Sequence, residues 1–270
     1  MKSIKHHASI LYETTKFDYR KYAVLAILSI IISVSVLSYS VLQVHTANNM
    51  ESKQSKKLDT VFYIENLKSK KTDSGFFWHI MKNRILNVNV INPDEHPDKL
   101  DLIKNVIMSE EIITHEDSRH TKDYDSELLF MGWKGALNYA KSLKDTKLNL
   151  PTDFNFSESG SSDSDIVIKL TSLTNGEGFL GQTRILVDVE NNQILKSYIT
   201  IYDVDNLSNE EFLVVIRHEF GHAIGLSHSD NRDDLMYVEV NTKFPFITEY
   251  DIEALLNIYD KKDIVHRTQV

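Results

Sequence analysis

Residues 217–229 read RHEFGHAIGLSHS. Three of the chain's eleven histidines fall here, His218, His222 and His228, at gaps of four and six, with Glu219 beside the first and Gly225 ahead of the last. A gap of four is about one helical turn, so His218 and His222 project from one face of a helix and their imidazoles reach one cation. A sharp exit from that helix needs a left-handed residue, nearly free only for glycine, and Gly225 supplies it. His228 then comes round to the same cation. Three neutral imidazoles fill three tetrahedral positions of Zn²⁺ and leave the fourth open to water, the pattern of a catalytic rather than a structural site. Glu219 sits one position on, where a carboxylate lies next to the metal without ligating it. The pattern H-E-x-x-H-x-x-G-x-x-H fixes five positions, and its chance occurrence in a chain of this size is on the order of 10⁻⁴ or less. The metal ligands read from sequence are therefore His218, His222 and His228, with Glu219 as general base.

The helix carrying the first two histidines has a legible start. Ser208 followed by Glu211 makes a capping box, and Phe212, Val215, Ile216, Phe220 and Ala223 supply apolar faces. Downstream, Thr248 and Asp251 repeat the capping pattern ahead of Ile252, Leu255, Leu256 and Tyr259, which predicts a C-terminal helix packed under the first.

The chain has 270 residues, a net charge of −9 and no cysteine. That excludes disulfides, a thiolate nucleophile and Cys-ligated metal, so any metal is held by His, Asp or Glu. The mild acid excess and the lack of a basic stripe exclude nucleic acid as the main partner.

Residues 23–44, AVLAILSIIISVSVLSYSVLQV, contain no charge. As a helix they span roughly 33 Å, close to the hydrocarbon thickness of a bilayer. Lys2, Lys5, Lys16, Arg20 and Lys21 precede the run and Lys53, Lys56 and Lys57 follow it, which places the N-terminus in the cytoplasm. The expected organisation is a cytoplasmic tail (1–22), a signal anchor in the lipid bilayer (23–44), a polar tether (45–57) and an extracytoplasmic domain (58–270). A rival reading is a signal peptide cleaved near Ser40, which yields a secreted protein.

Within 58–270, RILNVNVIN from Arg84 alternates like a half-buried strand, ended by Pro93 and Pro97. Residues 98–108 predict a helix, and 110–124 a charged loop. SELLFMGWKGALNYAKSLK from Ser126 predicts a helix with Leu129, Trp133, Ala136, Leu137 and Ala140 on one stripe, Trp133 being core. Residues 153–165 read as a Ser/Gly/Asp loop, 165–170 as a strand, 174–183 as a glycine-punctuated loop, and 184–189 and 196–204 as strands joined by a turn at 190–192. This is an α+β layout.

HEFGHAIGLSH followed by LMY resembles the metzincin clan of zinc endopeptidases and, within it, the matrixin family. The resemblance is strong over about residues 208–260, weaker from 126, and does not extend to 58–124, whose role (prosegment or part of the fold) stays open. It implies a zincin-like domain with a mixed twisted sheet, an active-site helix and a C-terminal helix. It also implies one catalytic Zn²⁺, protein or peptide substrates, and Met236 as an apolar floor beneath the zinc histidines. In such enzymes an extended substrate pairs with an edge strand, for which GFLGQT and the strand after it are the candidates. Departures are Val238 in place of the usual proline, no histidine from 121 to 217 for a second zinc, and no cysteine for latency. Asp188, Glu190, Asp203 and Asp205 are compatible with Ca²⁺ but read better as ordinary strand-end carboxylates. His115 and His120 read as residues of a solvated loop. The function expected is a membrane-anchored zinc endopeptidase, against an inactive zinc-binding interaction module.

Overall fold

The computed structural model describes residues 58–66, 75–81, 84–91, 95–114, 128–157, 164–240, 242–243 and 245–260. No helix among them is long and apolar enough to cross a membrane. The expected tail, span and tether, and His115 and His120, lie outside the described residues.

The described strands are β1 (Leu58–Asn66), β2 (Phe77–Trp78), β3 (Leu86–Ile91), β4 (Ile112–Thr114), β5 (Leu128–Phe130), β6 (Phe154–Ser157), β7 (Ile166–Leu170), β8 (Gly181–Asp188), β9 (Gln193–Ile201), β10 (Glu239–Val240) and β11 (Ile247–Thr248). The helices are α1 (Pro97–Met108), α2 (Trp133–Leu143), α3 (Asn209–Ala223) and α4 (Glu249–Tyr259), with a 3₁₀ turn at Val204–Asn206. The main sheet runs β10-β1-β8-β9-β7-β3-β6, with β2 paired to β9. β6, β3, β7 and β9 are parallel to their neighbours, and β8 turns back antiparallel on β9. The layout is the α+β mixed sheet expected, with its parallel part made by crossover connections.

α3 lies against β8 and β9, α1 packs on α3 and α2, and α2 packs on α4. β8 shows why the helix settles there: Gly181, Thr183, Ile185 and Val187 are buried, while the residues between them are half-buried or exposed. One face of the strand is apolar and must be covered. β3 behaves differently. Leu86, Val88 and Val90 are buried as expected, but Asn89 is buried too, because β3 lies between β7 and β6 rather than at a rim.

Four expectations are corrected. The helix expected from Ser126 begins at Trp133, and Leu128–Phe130 is a strand pairing antiparallel with Ile112–Thr114, inside the expected loop 110–124. Gly132 explains the late start: a Cβ there would lie 2.6 Å from the Ser109 carbonyl oxygen, so the chain passes too close to the end of α1 for a side chain. Phe154–Ser157, expected as loop, is a strand, because pairing with β3 overrides its weak local pattern. Residues 181–183, also expected as loop, are the first residues of β8, for which Gly181 is a close-approach glycine rather than a breaker. The candidate edge strand is not the rim of the sheet. β1 pairs parallel with it over Thr60–Asn66 and is flanked in turn by β10, antiparallel.

Residues 76–78, β3 and α1 belong to the fold. Phe76, Phe77 and Trp78 are buried in the main core, and β3 is an interior strand.

Candidate metal and catalytic site

α3 begins at Ser208, whose side chain accepts from the Glu211 amide while the Glu211 carboxylate accepts from the Ser208 amide, as the sequence predicts. It ends in a left-handed turn. Gly225 has φ 111°, and a Cβ on it would run into the Phe76 carbonyl oxygen. The Leu226 amide donates to the Gly221 carbonyl and the Gly225 amide to that of His222, both at 3.0 Å, which closes a Schellman motif. The same turn aims the Leu226 carbonyl back at His222 Nδ1, 2.8 Å away. The last-turn carbonyls left open are capped by side chains from across the fold. Trp78 Nε1 and Ser197 Oγ donate to Ala223, and Tyr259 Oη donates to Ile224.

His218, His222 and His228 converge, each offering a ring nitrogen, and these atoms lie within 4.8 Å of one another. His222 Nε2 is 3.0 Å from His218 Nε2 and 3.2 Å from His228 Nε2. The tautomers follow from the partners. His218 Nδ1 lies 2.7 Å from the Leu235 carbonyl oxygen and His222 Nδ1 faces that of Leu226. Carbonyls only accept, so each Nδ1 carries the proton and each Nε2 presents a lone pair. Such nitrogens at these separations repel unless a cation lies between them. A tetrahedral zinc with bonds of about 2.0–2.1 Å sets its nitrogens roughly 3.3 Å apart, so the donor set fits that metal.

Burial decides the charge state. It pushes the His218 imidazole down to about 3, partly opposed by the Leu235 hydrogen bond, and holds His222 and His228 below their ordinary range. Ligands that are neutral without a metal need lose no proton to bind one. Glu219, fully buried on the same helix, is pushed by burial up to about 8 against the pull of a hydrogen bond from Thr183.

Met236 lies beneath the helix, nearly fully buried, and a Cβ on Gly221 would stand 2.5 Å from its Sδ. Its turn is fixed by the Asp234 carboxylate accepting from the Met236 amide at 2.8 Å and by the Ser229 amide donating to the Met236 carbonyl at 2.8 Å. Because Leu235 in this turn accepts from His218, Met236 and the His218 ring are positioned together. Asp251 of α4 keeps its capping box with Thr248, and burial followed by the nearby Asp234 raises its carboxyl pKa, tying α4 to this turn.

The remaining sequence candidates do other work. Asp188 accepts from the Glu190 amide and from Asn191 Nδ2, and Asp203 accepts from Asn206 Nδ2, so both carboxylates cap turns. His96 stands 3.4 Å from Asp205 Oδ1, away from the triad in the chain and paired elsewhere. Trp133 is core, with its Nε1 donating to the Arg217 carbonyl at 2.9 Å. Arg217 binds Met131 and Pro245 carbonyls and lies over the Phe246 ring, linking α3 to the segment after the Met236 turn. The residues that sequence reasoning missed are Gly181 and Thr183, which face Glu219. The signal was present as an alternation 181, 183, 185, 187 running into the expected strand.

Comparison with known proteins agrees with this geometry. Residues 136–260 match the model of the matrixin family. Over 64 residues the chain is 38% identical to the "Probable matrix metalloproteinase 095L" of Invertebrate iridescent virus 3, a stretch that is 23% of this chain and 17% of that protein. With the histidine triad, Glu219 and the Met236 turn all inside the matched span, the chain carries a matrixin-like domain of the metzincin type.

Proposed function

We propose that this protein is a zinc-dependent endopeptidase. The observation that carries the reading is the convergence of a ring nitrogen from each of His218, His222 and His228, with the buried Glu219 next to His218 on the same helix. His218, His222 and His228 would hold a zinc ion, which when bound would supply Lewis acidity toward the scissile carbonyl and toward the attacking water. Glu219 takes the water proton at its carboxylate and delivers it to the leaving amine nitrogen. Leu235 and Leu226 hold His218 and His222 in the tautomer a metal would require, and Met236 packs close to Gly221, between them in the chain.

An extended peptide adds to a sheet edge through main-chain hydrogen bonds. β8 is the strand beside Glu219, and residues 60–66 already pair with it. In this reading that segment leaves, or is cut away, before a substrate pairs there. Residues 23–44 anchor the protein in a membrane with its catalytic domain outside the cytoplasm, a proposal that rests on their uncharged length and on the basic residues before them. Carbonate washing of membranes carrying the full chain checks the anchor: release into the supernatant would sink it.

The test of activity is cleavage of an unstructured protein by purified residues 51–270, with and without a chelator, beside Glu219→Ala. Chelator-sensitive cleavage that the substitution abolishes, at unchanged zinc content, is the expected result. Full cleavage by the Glu219→Ala protein would remove the proposed mechanism.

A further inference from the structure

Two residues on the inner face of β8 are shaped to the Glu219 carboxylate, one by what it lacks and one by what it adds. Gly181 lacks a side chain where one would collide with Glu219 Oε1 and come within 2.9 Å of Cδ and 2.8 Å of Val215 Cγ1. Thr183, two residues on and on the same face, is fully buried, and its hydroxyl lies 2.5 Å from Glu219 Oε2 and 3.0 Å from the Glu219 main-chain oxygen. A hydroxyl has one proton, and a carboxylate is the stronger acceptor. Among the described residues nothing donates to Oε1, which is also buried. So one oxygen of the carboxylate is held and the other is left uncommitted.

The fold asks for neither feature. A strand under a helix is best filled by β-branched apolar residues, as at Ile185 on the same face, and valine has the shape of threonine without its hydroxyl. Glycine in a paired strand weakens it. Both departures from good strand chemistry fall where β8 meets Glu219.

We propose that Gly181 and Thr183 form a cradle in which Thr183 is the positioning residue for the Glu219 carboxylate, fixing Oε2 so that Oε1 carries the proton in catalysis. The inference rests on the endopeptidase reading for its catalytic half. The contact between residues 183 and 219 is testable without turnover.

The experiment compares full-length wild type with Thr183→Val, Thr183→Ser and Gly181→Ala. For Thr183→Val, kcat is expected to fall about 10- to 100-fold, the scale on which misplaced catalytic groups lose rate, with KM and zinc content unchanged. Thr183→Ser, which keeps the hydroxyl, restores most of kcat. Gly181→Ala lowers kcat as well, by displacing the carboxylate. Alongside, urea midpoints of chelator-treated wild type, Thr183→Val, Glu219→Gln and the double variant form a thermodynamic cycle. Non-additive midpoints are expected. Additive midpoints would overturn the cradle, as would a Thr183→Val protein with wild-type kcat. If the wild-type chain cleaves nothing, the endopeptidase reading fails by itself and the cycle still decides whether Thr183 and Glu219 are coupled.

Discussion

At the scale of single residues, buried histidines and a buried glutamate put opposite slopes on stability against pH. Glu219 ionises near 4.5 when exposed and near 8 in the folded protein, so its contribution is complete below 4.5 and is lost as the pH rises through 8. His218 falls from 6.5 to about 3, so its contribution is complete above 6.5 and is lost as the pH falls through 3, with His222 and His228 acting in the same sense. Chelator-treated protein should therefore lose thermal stability on both sides of a maximum near neutrality. Glu219→Gln should shrink the decline between pH 6.5 and 8, leaving the share that belongs to Asp251, and should leave the acid decline in place. Melting curves across that range check it, and an unchanged alkaline decline would contradict the assignment. The histidines and Glu219 were legible because their chemistry is carried by residue type and spacing within one helix and its exit. Thr183 was not, because its partner lies 36 positions away and only the packing of β8 on α3 brings them together.

At the scale of elements, α3 has two ends with different duties. The Ser208 end only starts the helix. Ser208→Ala should cost about 1 kcal/mol of stability and leave zinc affinity alone. The Gly225 end shapes the site, since its turn directs the Leu226 carbonyl at His222. Gly225→Ala forces a side chain into a left-handed backbone and against Phe76, at a cost above ~1 kcal/mol. It should also weaken zinc binding. Urea midpoints and competitive zinc titration of the two variants separate these roles, and equal effects on zinc would refute the distinction. The capping boxes at Ser208 and Thr248 were readable because a cap is a local exchange of hydrogen bonds over three residues. β6 and the start of β8 were not, because a strand draws its stability from partners elsewhere in the chain.

At the scale of the whole molecule, the family match begins at residue 136, yet the fold does not. β3 fills the sheet between β7 and β6, α1 packs on α3, and Trp78 caps the end of α3. A fragment restricted to 136–260 should fail to fold, as judged by the absence of a cooperative melt. A chain begun at residue 68 should fold and, with the edge of β8 uncovered, cleave faster than one begun at 51. Equal rates would show that residues 58–66 do not limit access.

The sequence by itself determined that His218, His222 and His228 converge, the capped helix that carries the first two with Glu219, and the glycine turn that returns His228. Each depends on contacts within about a dozen residues, where backbone geometry follows from residue type. Only the tertiary structure decided that residues 76–78, β3 and α1 complete the core, that residues 60–66 cover the strand beside Glu219, and that Gly181 and Thr183 enclose its carboxylate. Those depend on which strands lie side by side and in what register, and pairing between distant segments is fixed by the burial of the whole sheet rather than by any local pattern.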